Sequence, residues 1–404
     1  MKLLMITGLG SAKDLASGNK GAFYNTLEEF SKYWTRIDII CPKINNINSG
    51  NSKFEILNPK QSQNSKSQTI NLFDNIFIHI SPWPLMFHPL WFIKKGLEIY
   101  REQKFNLMTV QDYPPFYNGI GARLLWQRIK VPYVLEFHHI SGYPKAANFK
   151  EKIYANEFIW KLYWRLFGSK ARAVRVVNQK QTPEFLKKVG VPEDKMFYIP
   201  SMYVDLDTFK PIGLSKEYDI IFVGRLEPNK GVDLLIGAVR NLKSQISNLK
   251  CLVVGDGLLR GWIQSQITNY QLPITNYGRA KNSQEIAELI NRSKILVMPS
   301  YNEGGPRVVL EAMACGVPVL VTNVGLMPDF AGHNSAPDFA DKNGVKIIDW
   351  DAADIAKKAQ ELLENENERE KLSQAGMEIA KQFEKKNMVK DYANKLKELI
   401  VQGS

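Results

Sequence analysis

The sequence predicts an α/β protein of two doubly wound domains, because two runs of alternating strands and helices follow one another along its 404 residues. The first run begins at Lys2 and the second at Tyr218. Between them, Phe197–Pro211 contains two prolines and no strong periodicity, which is typical of an interdomain linker. Glycine-rich turns follow several of the apolar strands, and open sheets bind ligands at that end of their strands. We therefore predict domains at 1–205 and 206–382, facing a cleft.

The N-terminal run alternates short apolar stretches with amphipathic ones, as in a parallel sheet covered by helices. Its predicted elements are a helix near Ala22–Tyr33 and strands at Lys2–Thr7, Ile37–Ile40, Ile76–Ile80, Leu107–Val110, Tyr133–Phe137 and Ala173–Val177. Residues Ile44–Asn71 interrupt the pattern with many Asn, Ser, Gln and Lys residues. This composition predicts a surface insertion or a loose hairpin.

The C-terminal run repeats the alternation up to about Gln382. Its clearest strands are Asp219–Val223 and Ile295–Pro299, and its clearest helix is Val232–Leu242. A further helix is expected to have Pro306 in its first turn and to end before Gly316, since proline suits a helix start and glycine a helix end. Residues Phe383–Val401 form a last, basic amphipathic helix.

Charge and cysteine content narrow the class of protein. The formal net charge is +12 and the pI is near 9.3, which favours an anionic partner: a phosphorylated substrate, an anionic membrane surface or nucleic acid. The sequence contains no recognition-helix, zinc-finger or RNA-binding aromatic motif, so nucleic acid is the weakest candidate. The three cysteines have no metal-ligand spacing, and the first strand is too short for a signal peptide. The sequence also has no apolar run of about 18 residues. Together these features predict a cytoplasmic protein.

Residues 303–318 carry the most informative motif. A Gly-Gly-Pro turn follows an apolar strand and opens an apolar helix, and two carboxylates, Glu303 and Glu311, flank the turn. Free N–H groups and the positive end of the dipole at a helix start suit a phosphate. Carboxylates beside that turn are suited to accept hydrogen bonds from hydroxyl groups. Phosphate and hydroxyls together predict a nucleotide sugar.

This segment resembles the donor-site signature of glycosyltransferase family 4, the glycosyl transferases group 1, which are retaining enzymes of the GT-B fold. Three other segments are similar to motifs of that family: 224–231 (Gly-Arg-Leu-Glu-Pro-Asn-Lys-Gly), 253–257 (Val-Val-Gly-Asp-Gly) and 131–138 (Val-Pro-Tyr-Val-Leu-Glu-Phe-His). The matches cover the C-terminal half almost continuously and the N-terminal half in patches.

The resemblance implies a GT-B architecture of two Rossmann-like domains. The N-terminal domain would bind the acceptor, and the C-terminal domain would bind the nucleotide sugar. In the family the terminal helix, here within 383–404, crosses back onto the N-terminal domain. Met388, Tyr392 and Leu396 have the spacing to dock there.

The resemblance also assigns roles to matching residues. Arg225 and Lys230 would hold the diphosphate and stabilise the charge that grows on it in the transition state. Glu303 would contact the hydroxyls of the donor sugar, and Glu311 those of the ribose. His138 would lie near the donor sugar, in a positioning or transition-state role. Gly304, Gly305 and Pro306 would shape the sugar–phosphate pocket, and Arg279 would lie beside the base. Gly18 and Gly21 would let the backbone approach the acceptor and the diphosphate.

Two features leave parts of the site open. His139 stands beside His138, where the family often has Asp or Gly, so either imidazole could face the cleft, and a core histidine is the alternative. The segment Pro200–Asp205 and Asn178 depart from the family pattern near the cleft, so neither the acceptor nor the hinge geometry is predicted.

We expect no cofactor and no metal. The two Asp-x-Asp pairs, Asp205-Leu-Asp207 and Asp349-Trp-Asp351, are predicted to form a turn and a helix cap instead of a metal site. Arg225 and Lys230 would supply the positive charge for which other transferases use a divalent cation.

Two N-terminal stretches, Phe87–Phe105 and Lys152–Arg175, mix aromatic and basic residues. This mixture suits the surface of an anionic membrane, but it also occurs in helices that pack under a sheet while their cations extend outward. In the second stretch a core-like stripe favours the buried alternative: Phe158, Ile159, Leu162, Leu166 and Phe167. A peripheral position on the inner face of the plasma membrane remains open.

The predicted function is that of a retaining, metal-independent hexosyltransferase. It would move a sugar from a UDP, GDP or related donor to a glycan or lipid-linked saccharide in cell-surface polysaccharide or glycolipid biosynthesis. A sugar-phosphate or disaccharide synthase or a phosphorylase-like enzyme of the same fold is the alternative. A dinucleotide-dependent oxidoreductase is less favoured, since Gly8-Leu-Gly10 lacks the third glycine of that fingerprint. A silent scaffold or nucleic-acid binder would have no need of the four charged residues Arg225, Lys230, Glu303 and Glu311.

Overall fold

A computed structural model shows two open sheets, each surrounded by helices. It describes residues 1–8, 11, 22–43, 55–56, 69–331 and 343–401. The α/β class and the two successive alternations predicted above are confirmed in these residues.

The first sheet has nine strands in the order β3-β4-β5-β2-β1-β6-β7-β8-β9. β4 pairs antiparallel with both of its neighbours, and the other adjacent pairs are parallel. The strands are β1 (Lys2–Ile6), β2 (Arg36–Cys41), β3 (Glu55–Ile56), β4 (Thr69–Leu72), β5 (Ile76–Ile80), β6 (Leu107–Gln111), β7 (Tyr133–Phe137), β8 (Ala173–Val176) and β9 (Met196–Tyr198).

Helices cover both faces of this sheet. Successive residues of a strand point to opposite faces, so Leu3 and Met5 join one apolar core while Leu4 and Ile6 join another. The helices are α1 (Ala22–Phe30), α2 (His88–Gln103), α3 (Tyr117–Ile129), α4 (Phe149–Tyr154), α5 (Glu157–Leu166) and α6 (Gln181–Lys188).

The second sheet has six parallel strands in the order β12-β11-β10-β13-β14-β15. The strands are β10 (Tyr218–Val223), β11 (Cys251–Val254), β12 (Ile274–Gly278), β13 (Ser293–Met298), β14 (Val319–Thr322) and β15 (Lys346–Ile348). The helices around it are α7 (Val232–Leu242), α8 (Arg260–Tyr270), α9 (Ser283–Asn291), α10 (Arg307–Ala314), α11 (Ala352–Glu364) and α12 (Glu366–Gln382).

The last helix, α13 (Lys385–Val401), packs mainly on the first sheet, and Met388 near its start also contacts the core of the second. Its buried face belongs to the same apolar core as Leu3 and Phe30, and the ring of Tyr392 stacks on Phe30 at 5.1 Å between centroids. The residues that form this face are Val389, Tyr392, Ala393, Leu396 and Leu399, with Met388 partly buried beside them.

The predicted linker begins too early. Met196–Tyr198 is not linker but the strand β9, which pairs with β8 at the edge of the first sheet. A three-residue edge strand is too short to show an alternating pattern in the sequence. Further on, Val204 forms a bridge with Glu384, so this segment lies against the start of α13.

The polar segment Ile44–Asn71 contributes to an antiparallel pair, as the hairpin alternative predicts. Glu55–Ile56 pairs with Thr69–Leu72 at the edge of the sheet. Most of the segment lies outside the described residues.

The prediction of a buried stripe on α5 is wrong. Phe158, Leu162 and Leu166 are 72%, 49% and 54% exposed, and Ile159 is also exposed. The helix instead buries its opposite, aromatic face, which consists of Trp160, Tyr163 and Trp164. These larger rings bury more apolar area, and Trp160 alone contacts Phe116, Phe137 and Phe185.

The other aromatic and basic stretch, Phe87–Phe105, is mainly a packing helix. Trp91, Phe92 and Ile99 on α2 are buried in the core. Phe87 and Leu90, at its N-terminal end, are exposed. Across the described part of the chain, no helix combines the length and the apolarity needed to cross a bilayer.

Candidate active site

Two turns of the second sheet meet because β10 and β13 are neighbours. The turn after β10 ends at Gly231, which has φ +65° and begins α7. A Cβ at this position would lie 1.9 Å from the carbonyl oxygen of Pro299, at the end of β13. Only glycine allows this approach, which brings Lys230 beside the turn that carries Glu303.

Lys230 and Glu303 form an ion pair at this junction. Their side chains are only 11% and 13% exposed, and the Ser300 hydroxyl donates to the same carboxylate at 3.3 Å. A pair shielded from water in this way keeps a fixed geometry and is screened less by salt. The structure thus joins two residues that lie 73 positions apart in the chain.

The turn at Glu303 also touches the first domain. A Cβ on Gly304 would lie 1.7 Å from the carbonyl oxygen of His138, so the two backbones are in direct contact. Beside them, the Asn302 amide donates to the carbonyl of Lys145 at 3.0 Å and to the carboxylate of Glu151 at 2.8 Å. The cleft between the two sheets is therefore closed around this turn.

The two histidines after β7 have different surroundings. The His138 imidazole lies 3.2 Å, through Nε2, from the Glu136 carboxylate. His139 faces the charges of the second domain: Glu303 raises the pKa of its imidazole, and Lys230 and Arg225 lower it. Crowding by protein groups has the largest effect and lowers the pKa of the His139 imidazole, although the residue itself remains exposed to solvent.

Glu136 is the centre of a buried polar cluster. It pairs in register with Arg175 on the adjacent strand, at 3.5 Å between Nη1 and Oε2, and the Tyr392 hydroxyl donates to its other oxygen. Burial alone would raise the pKa of Glu136, but Arg175 together with the hydrogen bonds from His138 and Tyr392 holds it below the ordinary value. The carboxylate is therefore ionised and only accepts hydrogen bonds.

Glu311 lies in the second turn of α10. Burial raises the pKa of its carboxyl group to about 7, against a partial opposing effect of Arg307. A carboxyl group with this pKa is partly ionised at neutral pH, and its oxygens can accept hydrogen bonds from a ligand.

The other predicted residues are less constrained. Arg225, expected to hold the diphosphate, is exposed. Arg279 is exposed after the edge strand β12, two strands from β10. Pro306 does not open the first turn of α10 but occupies the cap position before it. A Cβ on Gly305 would lie 2.3 Å from Met202 Sδ, so this glycine is also close-packed.

Gly18 and Gly21 lie outside the described residues, as does Gly10. The N–H of Gly8, the other glycine of that turn, donates to the side chain of Gln111 at 3.1 Å.

The two Asp-x-Asp pairs have the roles predicted for them. Asp205 accepts hydrogen bonds from the backbone of Asp207 and Thr208 in a turn, and Asp351 caps α11 by accepting from Ala353 N–H at 3.0 Å. Among the described residues, no group of three His, Cys, Asp or Glu side chains could hold a metal ion.

Two adjoining cavities lie at the carboxyl ends of β1, β6 and β7 and share several lining residues. One continues between α1 and α13, where about 790 Å³ of empty space is partly open to solvent and apolar side chains dominate the wall. The residues common to both cavities are Ser11, Gln111, Glu136 and His138.

The sequence analysis missed Glu136 and Arg175, and it predicted Tyr392 only as a docking residue of the last helix and not as a partner of Glu136. The signal was present in part, because Glu136 and Arg175 interrupt otherwise apolar strands and an unpaired buried charge is costly. The pairing between them depends on the strand register, which the sequence alone does not define.

Comparisons with known proteins agree with this architecture. Residues 206–379 match the family described as glycosyl transferases group 1. Over this segment the chain is similar to the group 1 glycosyltransferases. It is 27% identical over 320 residues to an uncharacterized glycosyltransferase of Methanocaldococcus jannaschii, covering 78% of this chain and 82% of that protein.

A second relative of the chain is named for a lipid-linked glycan. It is the Campylobacter jejuni α-1,4-N-acetyl-D-galactosaminyltransferase named for a diphosphate-undecaprenol substrate, at 24% identity, with 63% of this chain and 65% of that protein covered. The GT-B fold is shown by the Anabaena protein HepE, solved with UDP and glucose, at a TM-score of 0.69 and 16% identity, covering 98% of this chain and all of that one.

Proposed function

We propose that this enzyme is a retaining, metal-independent glycosyltransferase that moves a sugar from a nucleoside-diphosphate donor to a lipid-linked or glycan acceptor. The observation that carries the proposal is the shielded Lys230–Glu303 pair beside the two histidines. Lys230 is placed to neutralise the leaving diphosphate, and Glu303 to accept hydrogen bonds from sugar hydroxyls.

The remaining charges fit the same donor. The exposed Arg225 guanidinium is free to close on the phosphates when they arrive. Glu311, whose pKa is raised to about 7, would accept hydrogen bonds from the ribose. The His139 imidazole lies within the electrostatic reach of Glu303, Lys230 and Arg225, so it borders the same charged site. In HepE the bound nucleotide is UDP, which supports a uridine or related donor here.

The structural roles of the two Asp-x-Asp pairs support a reaction that is independent of metals. Asp205 and Asp351 are already engaged by backbone N–H groups in a turn and a helix cap. Lys230 and Arg225 would then supply the positive charge that stabilises the leaving diphosphate.

The exposed side of α4 and α5 supports a lipid-linked acceptor. Phe149 and Ile153 on α4, and Phe158, Leu162 and Leu166 on α5, are all exposed. Basic side chains lie on the same helices and are exposed: Lys150, Lys152, Lys161 and Arg165. We call these nine residues the outer face. Apolar side chains beside cations on a chain of net charge +12 suit an anionic membrane surface.

A ligand screen with one variant tests the donor site. Nucleoside diphosphates and nucleotide sugars should raise the melting temperature of the enzyme, whereas NAD should not. Lys230→Ala should lower turnover at least about a hundredfold, because it removes a preorganised charge partner of the leaving group. The control is Lys243→Ala, just beyond the far end of α7, where the ammonium only meets the carbonyl of Tyr270. Near-wild-type turnover of Lys230→Ala in a folded protein would reject the role of this lysine.

A further inference from the structure

The cluster around Glu136 links three parts of the chain that are distant in sequence. Glu136 is on β7, Arg175 on β8, and Tyr392 on the last helix, α13. Glu136 is 2% and Arg175 5% exposed. Arg175 also donates to the carbonyls of Ile199 at 3.0 Å and Pro200 at 2.8 Å, where the chain leaves the first sheet.

The cluster leaves Glu136 a single available orientation. One carboxylate oxygen accepts from the Tyr392 hydroxyl, and the other meets Arg175 and His138. The Arg175 guanidinium also lies over the Tyr392 ring, at 3.9 Å from its centroid. Since each partner is itself held, the carboxylate cannot turn away from the histidine without leaving a buried charge unpaired.

This arrangement determines which nitrogen of His138 carries a proton. An ionised carboxylate accepts only, so the ring must donate through Nε2–H. In the neutral ring, Nδ1 is then the nitrogen left as an acceptor. The imidazole lines both cavities, and its side chain is 36% exposed, so it remains accessible from the cleft.

We propose that Glu136 is a positioning residue, which holds His138 as the Nε2–H tautomer, and that Tyr392 on the C-terminal helix holds Glu136 in turn. Docking of α13 on the first sheet is thereby coupled to the orientation of a cleft histidine. The expected effect on turnover rests on the proposed function, because it requires His138 to act in transfer. The tautomer of His138 does not depend on that function.

Two conservative variants test the proposal. Glu136→Gln keeps the shape of the side chain but replaces the accepting oxygens by an amide, and Tyr392→Phe removes one hydroxyl while keeping the stack on Phe30. The first measurement is the ¹⁵N spectrum of protein labelled in its five histidines. We expect wild-type His138 to be the Nε2–H tautomer, Glu136→Gln to show a mixture, and Tyr392→Phe to shift in the same direction.

His79 is an internal control for these spectra. Its Nε2 lies 2.9 Å from the carboxylate of Asp38, a similar pair elsewhere in the same sheet, and it should not change in either variant. If the His138 signals are unchanged in Glu136→Gln, or if those of His79 move equally, the proposal is overturned.

Turnover and donor binding complete the test. Turnover should fall at least tenfold in Glu136→Gln, because His138 with its proton on the other nitrogen can no longer act in transfer. The melting shift with a UDP-sugar should be retained, because Glu136 and Tyr392 belong to the first sheet and α13, whereas Lys230 and Glu303 lie on turns of the second sheet. Unchanged turnover alongside an altered tautomer would overturn the claim that this positioning serves transfer. Failure of the wild-type protein to bind any nucleotide sugar would instead reject the proposed function and leave the tautomer result standing.

Discussion

Glu311 illustrates how surroundings set the chemistry of a single side chain. As a helical glutamate it would ordinarily be ionised at pH 7, but burial raises its pKa to about 7. Because the folded-state pKa lies above that of the unfolded chain, this group favours the folded state at low pH. That contribution is lost as the pH rises through 7.

The raised pKa of Glu311 predicts pH-dependent donor binding. If its carboxylate accepts the ribose hydroxyls, a UDP-sugar should bind more tightly at pH 8 than at pH 6, by up to about tenfold, because only the ionised form accepts two hydrogen bonds. Calorimetric titrations with a UDP-sugar, whose phosphates do not titrate in this range, would measure the effect. In Glu311→Gln the pH dependence should disappear; an equally steep dependence in that variant would contradict the assignment.

At the scale of one element, α5 shows why a helical pattern can be misread. The helix is apolar on both sides, so the sequence offers two candidate core faces. The aromatic face is buried, and the aliphatic face with Phe158 and Leu162 is exposed. A helix that leaves large apolar residues in water on a well-packed scaffold indicates a contact surface.

The outer face predicts membrane binding that depends on both charge and apolar contact. The protein should sediment with anionic liposomes at low salt and much less at high salt, since screening weakens the attraction of its cations. Phe158→Ser/Leu162→Ser should reduce partitioning at least tenfold, because burial of each side chain contributes about 1.5–3 kcal/mol.

The matched control for this experiment is Leu258→Ser, since Leu258 is 82% exposed but belongs to the other domain. Its partitioning should equal that of the wild type. An absence of binding to anionic liposomes at low salt would remove the membrane role of α4 and α5.

At the scale of the whole molecule, the site is made by contact between two domains. Gly304 of the second domain lies against the carbonyl of His138 in the first, and Asn302 bridges to Lys145 and Glu151 beside it. The turn that would hold the donor sugar therefore also makes the closed form of the cleft.

A methyl group at Gly304 should keep the cleft from closing. In Gly304→Ala the added Cβ would meet the His138 carbonyl at 1.7 Å and points away from the second domain's own core. Turnover should fall on the order of a hundredfold, because a displacement of about 1 Å separates the reacting groups. The melting shift with UDP should be retained.

The control for Gly304→Ala is Gly261→Ala on α8, where a Cβ would meet nothing within 4 Å. Kinetics of both variants would check the prediction. Wild-type turnover of Gly304→Ala would show that this contact does not govern closure.

Local patterns in the sequence determined the α/β class, most strand positions, and the turns that carry Lys230 and Glu303. These features depend on periodicity and on glycine chemistry within a few residues, which the sequence displays directly. Tertiary structure alone decided which face of α5 is buried, where β9 ends the first sheet, and that Glu136, Arg175 and Tyr392 form one cluster. The physical reason is that packing between segments distant in the chain determines the strand register and which apolar face of a helix is buried. The sequence of one segment alone does not contain this information.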